Sequence, residues 1–287
     1  MLPFQEIMNY GFLDFTANLV IYVLLAVTAF VTFWVIYKER LKNRKIQQNR
    51  GAQPGLIRSE IRNSLFSLVI LTIMDVAVYI AQLKGYTKIY TNVYEYGWLY
   101  LALSTVVMIL LHDTWFYFTH RLMHHPKVYK HVHKVHHQST DPSPFAAFSF
   151  HPFEAVIDGG VFVFFAFTFP VHMIALWIWQ LIHVVLNIIS HLGYEIYPKG
   201  FNKHWLFKFK TPTTHHNMHH AKAQGNYGLY FTWWDKLLKT EFKDYHQVYD
   251  SIHNRVSKNE KEPAQPYSAT VINLDSAENF GLNRKAS

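Results

Sequence analysis

Residues 15–37 read FTANLVIYVLLAVTAFVTFWVIY, a run without one charged side chain. A helix needs about 20 mostly apolar residues to cross the hydrocarbon core of a bilayer, and this run supplies them. It is too long for a cleavable leader, has no basic flank before it and no small-residue cleavage site after it. Outward from it, Leu65 to Leu83 forms a second run, broken only by Asp75. Trp98 to Leu111 forms a third and continues through Trp115, Phe116, Tyr117 and Phe118. Two shorter runs follow, Ala155 to Phe169 and Met173 to Ile189, separated by Pro170, Val171 and His172. The fold these runs predict is all-α: an integral membrane helical bundle of about four transmembrane helices. The two short runs form a hairpin in it, either fully spanning or re-entrant.

Composition points the same way. Only 16% of the 287 residues are charged and 50% are hydrophobic, against about 25% charged in an ordinary soluble domain. That excludes a typical soluble enzyme and a disordered chain alike. The absence of cysteine removes disulfide frameworks and Cys-containing zinc fingers. The net charge of +8 is read as membrane orientation, with no nucleic acid among the partners. Lys38, Arg40, Lys42, Arg44, Lys45, Arg50, Arg58 and Arg62 lie between the first two runs, opposed by Glu39 and Glu60, whereas the 84–97 loop holds only Lys84, Lys88 and Glu95. The 38–62 loop is therefore expected in the cytoplasm and the 84–97 loop outside. The third run returns to the cytoplasm near His120, and the hairpin brings His191 back to the same side. The expected division is a transmembrane region over 1–111, a histidine-bearing region with the hairpin over 112–245, and a polar tail over 246–287, loosely ordered from about Asn254.

Seventeen of the nineteen histidines lie between His112 and His220. They fall into an HxxxH group (His120, His124), an HxxHH group (His133, His136, His137), a third group HHNMHH (His215, His216, His219, His220), and His191 alone at the end of an apolar run. Residues three and four apart share a helical face, so each group presents two or three imidazoles to one side. Imidazole suits iron, zinc, copper and nickel. Two HxxHH groups, one HxxxH and His191 make nine nitrogen donors, too many for one ion and about right for two. The groups carry no glutamate, unlike the ExxH pairs of soluble di-iron bundles, and no HExxH protease motif is present. The carboxylates of Asp113, Glu154, Asp158, Glu195 and Asp235 are expected behind the ligands, holding their N–H groups. His172, His246 and His253, and with them His183 and His204, are read as ordinary hydrogen-bonded histidines.

HDTWFYFTHRLMHH, YKHVHKVHH, PFAAFSFHPFEA, SHLGYE, THHNMHH and GNYGLYFTWWDK, in this order over residues 112–240, resemble the fatty acid hydroxylase and sterol desaturase superfamily. The resemblance implies a catalytic region over 112–245 and an integral membrane, non-haem di-iron oxygenase that hydroxylates or desaturates a lipid C–H position with O2 and two electrons. It implies as metal ligands His120, His124, His133, His136, His137, His191, His216, His219 and His220, with His215 and Asn187 as further candidates. Asn187 stands where fatty acid 2-hydroxylases have a histidine four residues before the His191 position, either ligating weakly or leaving a coordination position open. The HxxxH form of the first box leans toward the sterol-modifying branch, and a glycine usual after the WD pair is replaced by Lys239.

The expected cofactors are two iron ions, with O2 as co-substrate. The expected partners are a lipid substrate, membrane lipids and a separate electron-donor protein of cytochrome b5, ferredoxin or reductase type, since no HPGG segment appears. The chain ends without a lysine retrieval signal, which favours a bacterial inner membrane over the endoplasmic reticulum. Two other readings remain: a membrane metal transporter, and a non-catalytic protein with a structural metal site.

Overall fold

The computed structural model describes residues 4–48, 51 and 53–258; the tail reading from 259 onward and Arg50 lie outside them. Four helices are long and apolar enough to cross a membrane. The first, α1 (Phe4–Phe30), runs on as a π-helical turn over Val31–Ile36. It is followed by α2 (Pro54–Leu83) and α3 (Gly97–Met123). After the short α4 (Pro126–Val132), α5 (Pro152–Thr168) and α6 (Met173–Ser190) form the expected hairpin. The third run extends past its apolar core, where the last turns of α3 carry His112, Asp113 and His120, all buried.

The bundle is apolar outside and partly polar inside, the inverse of a soluble helix bundle. Phe12, Leu24, Phe66, Ile73, Leu99, Leu103, Trp177 and Leu181 are all exposed, as lipid-facing residues must be. Inside, Tyr22 and Ala26 of α1 pack on Leu68 of α2, Val184 and Ile188 of α6, and Phe145 and Phe148. Met108 of α3 packs on Val161 and Phe165 of α5 and on Trp179 of α6. Asp14 takes hydrogen bonds from Thr72 and Asn18 at 3.0 and 3.2 Å.

The hairpin reaches the far side of the bundle. Ile89 and Tyr90, in the α2–α3 loop, pair in parallel with Val171 and His172 at the hairpin tip. Lys88 N–H donates to Ala166 O at 2.7 Å and Tyr100 Oη to Pro170 O at 2.9 Å. At 1.5 Å per residue, the 17 and 18 residues of α5 and α6 give about 26 Å each, close to the hydrocarbon thickness. The opposite face holds the basic loop and the histidines together: Lys45 Nζ meets Asp141 Oδ2 at 2.8 Å, and Glu195 N–H donates to Arg44 O at 2.9 Å.

A cap covers that face: α7 (Thr213–Lys222), α8 (Trp233–Leu237) and α9 (Tyr245–Lys258). The segment expected to begin a polar tail at 246 is thus an amphipathic helix. Its Tyr245, Val248 and Ile252, at helical spacing, are buried against Ile46 and Met218. Overall polarity concealed a one-sided apolar stripe. His253, read as an ordinary hydrogen-bonded histidine, is buried and bonded in that way, with Nδ1 donating to Tyr249 O at 2.9 Å and Nε2 2.8 Å from Arg44 Nη1.

Candidate metal centre

Each histidine group is built by its local backbone. His120 and His124 stand one turn apart at the end of α3. His133, His136 and His137 occupy the turn after α4, where the chain tightens into a 3-10 turn at His136–Gln138. His191 caps α6. His216, His219 and His220 share one face of α7, which is buried along nearly its whole length.

The three groups and His191 converge into two clusters. His120, His124, His133, His137 and His219 form one, and His136, His191, His216 and His220 the other. All nine histidines named from the spacing are therefore present, divided five and four. The HxxHH motifs are split between the clusters: His136 faces one way while His133 and His137 face the other.

Within each cluster the Nε2 atoms point at one another. His120 and His133 are 3.0 Å apart, His137 and His219 3.0 Å, and His124 and His219 3.1 Å. In the second cluster His216 and His191 are 3.1 Å apart, His220 and His216 3.1 Å, His220 and His191 3.2 Å, and His191 and His136 3.4 Å. Two nitrogens held about 2.1 Å from one ion stand about 3.0 Å apart at a right angle and about 3.4 Å apart at a tetrahedral one.

The protons decide whether these are hydrogen bonds. His120 Nδ1 lies 3.0 Å from Tyr227 O, His191 Nδ1 2.8 Å from Asn187 O, His219 Nδ1 2.7 Å from Gly225 O and His220 Nδ1 2.9 Å from Ser139 O. A carbonyl only accepts, so each Nδ1 carries the hydrogen and each neutral Nε2 is a bare lone pair. His191 and His220 thus face each other lone pair to lone pair at 3.2 Å. Uncharged imidazoles have no reason to hold that arrangement; a cation between them makes it favourable. The donor set fits two nitrogen-preferring ions such as iron.

Charging the imidazoles instead is opposed. Burial, and then the neighbouring imidazoles, push His133, His136, His137, His216, His219 and His220 well below the usual histidine range. Burial takes His191 down to about 4 and His124 to about 2.

Of the five carboxylates expected behind the ligands, Glu154 bonds one directly, at 2.6 Å from His133 Nδ1. Asp235 acts one step back: it accepts from Tyr227 N–H and Gly228 N–H at 2.9 and 2.8 Å, fixing the turn whose Tyr227 carbonyl holds His120. Asp113 takes Tyr230 N–H and Phe231 N–H, and Glu195 takes Thr214 N–H and Tyr197 N–H. Backbone carbonyls, invisible to a reading of side chains, do most of the orienting of the clustered imidazoles.

Two candidates stand apart. His215 joins neither cluster; it lies edge-on to Tyr245 with Nε2 3.6 Å from Asp235 Oδ2. At 100° per residue His216, His219 and His220 span one arc of α7, and His215 falls outside it. Asn187 donates through Nδ2 to Ala147 O at 2.7 Å, a helix-to-loop hydrogen bond, and lines the small cavity beside His136, His191 and His216.

Sequence reasoning missed a third group. His112 of α3, Asp158 of α5 and His183 of α6 come together membraneward of the clusters, with one atom of each within 4.8 Å of the others. Ionisable residues inside otherwise apolar runs were its only signal.

Residues 105–240 match the family model described as Fatty acid hydroxylase. Among curated proteins, a Delta(7)-sterol 5(6)-desaturase of Gibberella zeae is 33% identical over 211 residues, 73% of this chain and 62% of that protein. The Lathosterol oxidase of Rattus norvegicus is 30% identical over 224 residues, 77% of this chain and 71% of that protein. Methylsterol monooxygenase 1 of Danio rerio is 36% identical over 160 residues, 54% of each chain. The chain spans a little under two thirds of the fungal desaturase's length. No solved structure matches it.

Proposed function

This chain belongs to the fatty acid hydroxylase and sterol desaturase family, and from that premise we propose that it is a membrane-bound non-haem di-iron oxygenase acting on a sterol-type lipid. It hydroxylates or desaturates one C–H position with O2 and electrons from an external donor protein. The observation that carries the reading is the set of Nε2 lone pairs, tautomer-fixed by backbone carbonyls, that face one another in two clusters. Named relatives acting on sterols support the substrate class.

His120, His124, His133, His137 and His219 hold one ion; His136, His191, His216 and His220 hold the other. Once bound, the ions supply O2 activation and the oxidation of an unactivated C–H bond. The protein's own residues orient and shield. Glu154, Tyr227, Gly225, Asn187 and Ser139 lock the imidazoles in one tautomer. A cavity of about 20 Å³ reaches both clusters at His120, His133, His136, His191 and His216 and is walled by Phe116 and Phe150, which keep water from the reacting position. Asn187 is a positioning residue: the second cluster has one nitrogen fewer than the first, and Asn187 lines the cavity beside that cluster.

The basic 38–62 loop on the same side supports a cytoplasmic histidine face. Lys127, Lys130 and Lys134, exposed around α4 directly over the second histidine group, fit the docking of an acidic electron donor. The named relatives come from fungi and vertebrates and lend no support to a bacterial inner membrane. The transporter and structural-metal readings draw no support from the relatives either.

Purified full-length chain should bind two irons, counted by elemental mass spectrometry, and consume O2 with a reductant only when lathosterol or a related sterol is present. Two metals with no lipid-dependent O2 uptake would favour a structural site and sink the oxygenase reading.

A further inference from the structure

The group of His112, Asp158 and His183 looks at first like a third metal site, but its protons are arranged against a cation. Trp179 Nε1, which can only donate, gives its hydrogen to His112 Nδ1 at 3.0 Å. The hydrogen of neutral His112 therefore sits on Nε2, which is buried and has no partner among the described residues. Tyr230 Oη lies 2.9 Å from His112 Nδ1 and 3.3 Å from His183 Nδ1. With the His112 lone pair taken by Trp179, the Tyr230 hydrogen goes to His183 Nδ1, and His183 too presents Nε2–H. That atom is 3.9 Å from Asp158 Oδ2. Asp158 lines the same cavity as His120, His133 and His136.

The group thus holds a buried donor without a partner among the described residues, His112 Nε2–H, beside a largely buried acceptor, Asp158, whose Oδ2 stands 3.9 Å from His183 Nε2, beyond hydrogen-bond reach, with an atom of each residue within 4.8 Å of the others. One hydroxyl group satisfies both: its oxygen accepts from His112 Nε2–H and its hydrogen goes to Asp158, each at about 2.8 Å. Left unmade, these bonds are costly in an apolar interior. Position agrees. His112 lies two turns before His120 on α3, about 12 Å along the axis, and His183 two turns before His191 on α6. Of the group, Asp158 lines the cavity, and His112 and His183 stand beside it on the membrane side. A sterol carries its hydroxyl on ring A, two carbons from the 5(6) bond after which the fungal relative is named. A sterol presenting that bond to the histidines must place its hydroxyl beside them.

We infer that Asp158, His112 and His183, with Tyr230 orienting the imidazoles, form a subsite for the hydroxyl group of the lipid substrate. The inference rests on the sterol reading above and names the part of the site that would recognise the substrate's polar end.

The test is equilibrium binding of radiolabelled lathosterol to the full-length, metal-loaded protein in lipid nanodiscs, competed with unlabelled lathosterol or its 3-deoxy analogue. The parent should prefer lathosterol by at least about tenfold, the worth of a hydrogen bond to a charged group. Asp158→Leu should bring the preference close to one with metal content unchanged. Asp158→Asn, whose amide oxygen still accepts, should keep part of it. His112→Phe, read the same way, stands in if Asp158→Leu does not retain its metals. Equal binding of the two sterols by the parent would mean that only water fills the subsite and would overturn the inference while leaving the sterol reading intact. A preference that survives Asp158→Leu and His112→Phe would overturn it as well. Failure of both sterols to bind, beside lipid-dependent O2 uptake with another substrate, would overturn the sterol reading and the inference with it.

Discussion

His219 has two close neighbours in its cluster, with Nε2 3.1 Å from His124 and 3.0 Å from His137; His136 reaches into the other cluster through His191. His219→Ala and His136→Ala should each cost about one of two irons per chain and abolish turnover, while the protein still inserts; metal counting on membrane-extracted protein checks this. His246, with 40% of its side chain exposed, should be nearly silent as alanine, and an equal loss there would point to general misfolding. His253→Ala is different from what a tail residue would show. It removes the contacts to Tyr249 O and Arg44 and should lower stability by about 1–3 kcal/mol without changing metal content, a pattern visible in a thermal melt. Asn187→Leu strands the Ala147 carbonyl at a similar cost but should retain both irons. Asn187→His adds a fifth nitrogen beside the second cluster and should lower turnover or shift the ratio of hydroxylated to desaturated product. If Asn187→Leu matches the parent in rate and product ratio, the open-position role is gone.

The element that most surprised a reading by side chains is the GNYG turn. Gly225 lies at φ +102°, and a Cβ there would stand 2.5 Å from Thr240 O. A Cβ on Gly228 would stand 2.2 Å from Phe231 O. The turn is closed this tightly because its Gly225 and Tyr227 carbonyls hold His219 and His120. Gly228→Ala should therefore release metal from the five-nitrogen cluster although no ligand is changed, which iron counting with intact membrane insertion would show. Lys239, standing where the family usually has glycine, sits at φ +56°. Lys239→Gly should raise thermal stability modestly, by about 1 kcal/mol. The clustering histidines were legible because HxxxH and HxxHH repeat a helical geometry that side chains alone express. The carbonyl cradle was not, since every residue carries a carbonyl and only the fold selects which ones serve. The helix α9 was missed for another reason: Tyr245, Val248 and Ile252 are few among many polar neighbours, and their stripe has meaning only against Ile46 and Met218.

At the scale of the whole molecule, the apolar runs indicated about four spans from sequence and left the hairpin either spanning or re-entrant; its depth needed the pairing of Ile89–Tyr90 with Val171–His172. The same frame buries many neutral imidazoles at one face, and that gives stability a pH sign. A free histidine titrates near 6.5, whereas in the folded protein burial takes His191 to about 4 and holds six other histidines of the two clusters well below the ordinary value. Above pH ~6.5 neither state binds these protons and stability is at its full value. As pH falls below it, the unfolded chain takes up protons that the folded chain refuses, so unfolding is favoured by about 1.4 kcal/mol per pH unit for each such histidine. Metal release runs the same way, because the ligands must be unprotonated. Between pH 6.5 and 4 the protein should lose iron and melting temperature together and steeply, with the metal-free protein showing the same direction from a lower starting point. Melting curves and iron retention across that range test it. A flat profile down to pH 4 in the metal-free protein would mean that the histidines are accessible to water and protonate freely, and the dry, closed centre described above would not exist.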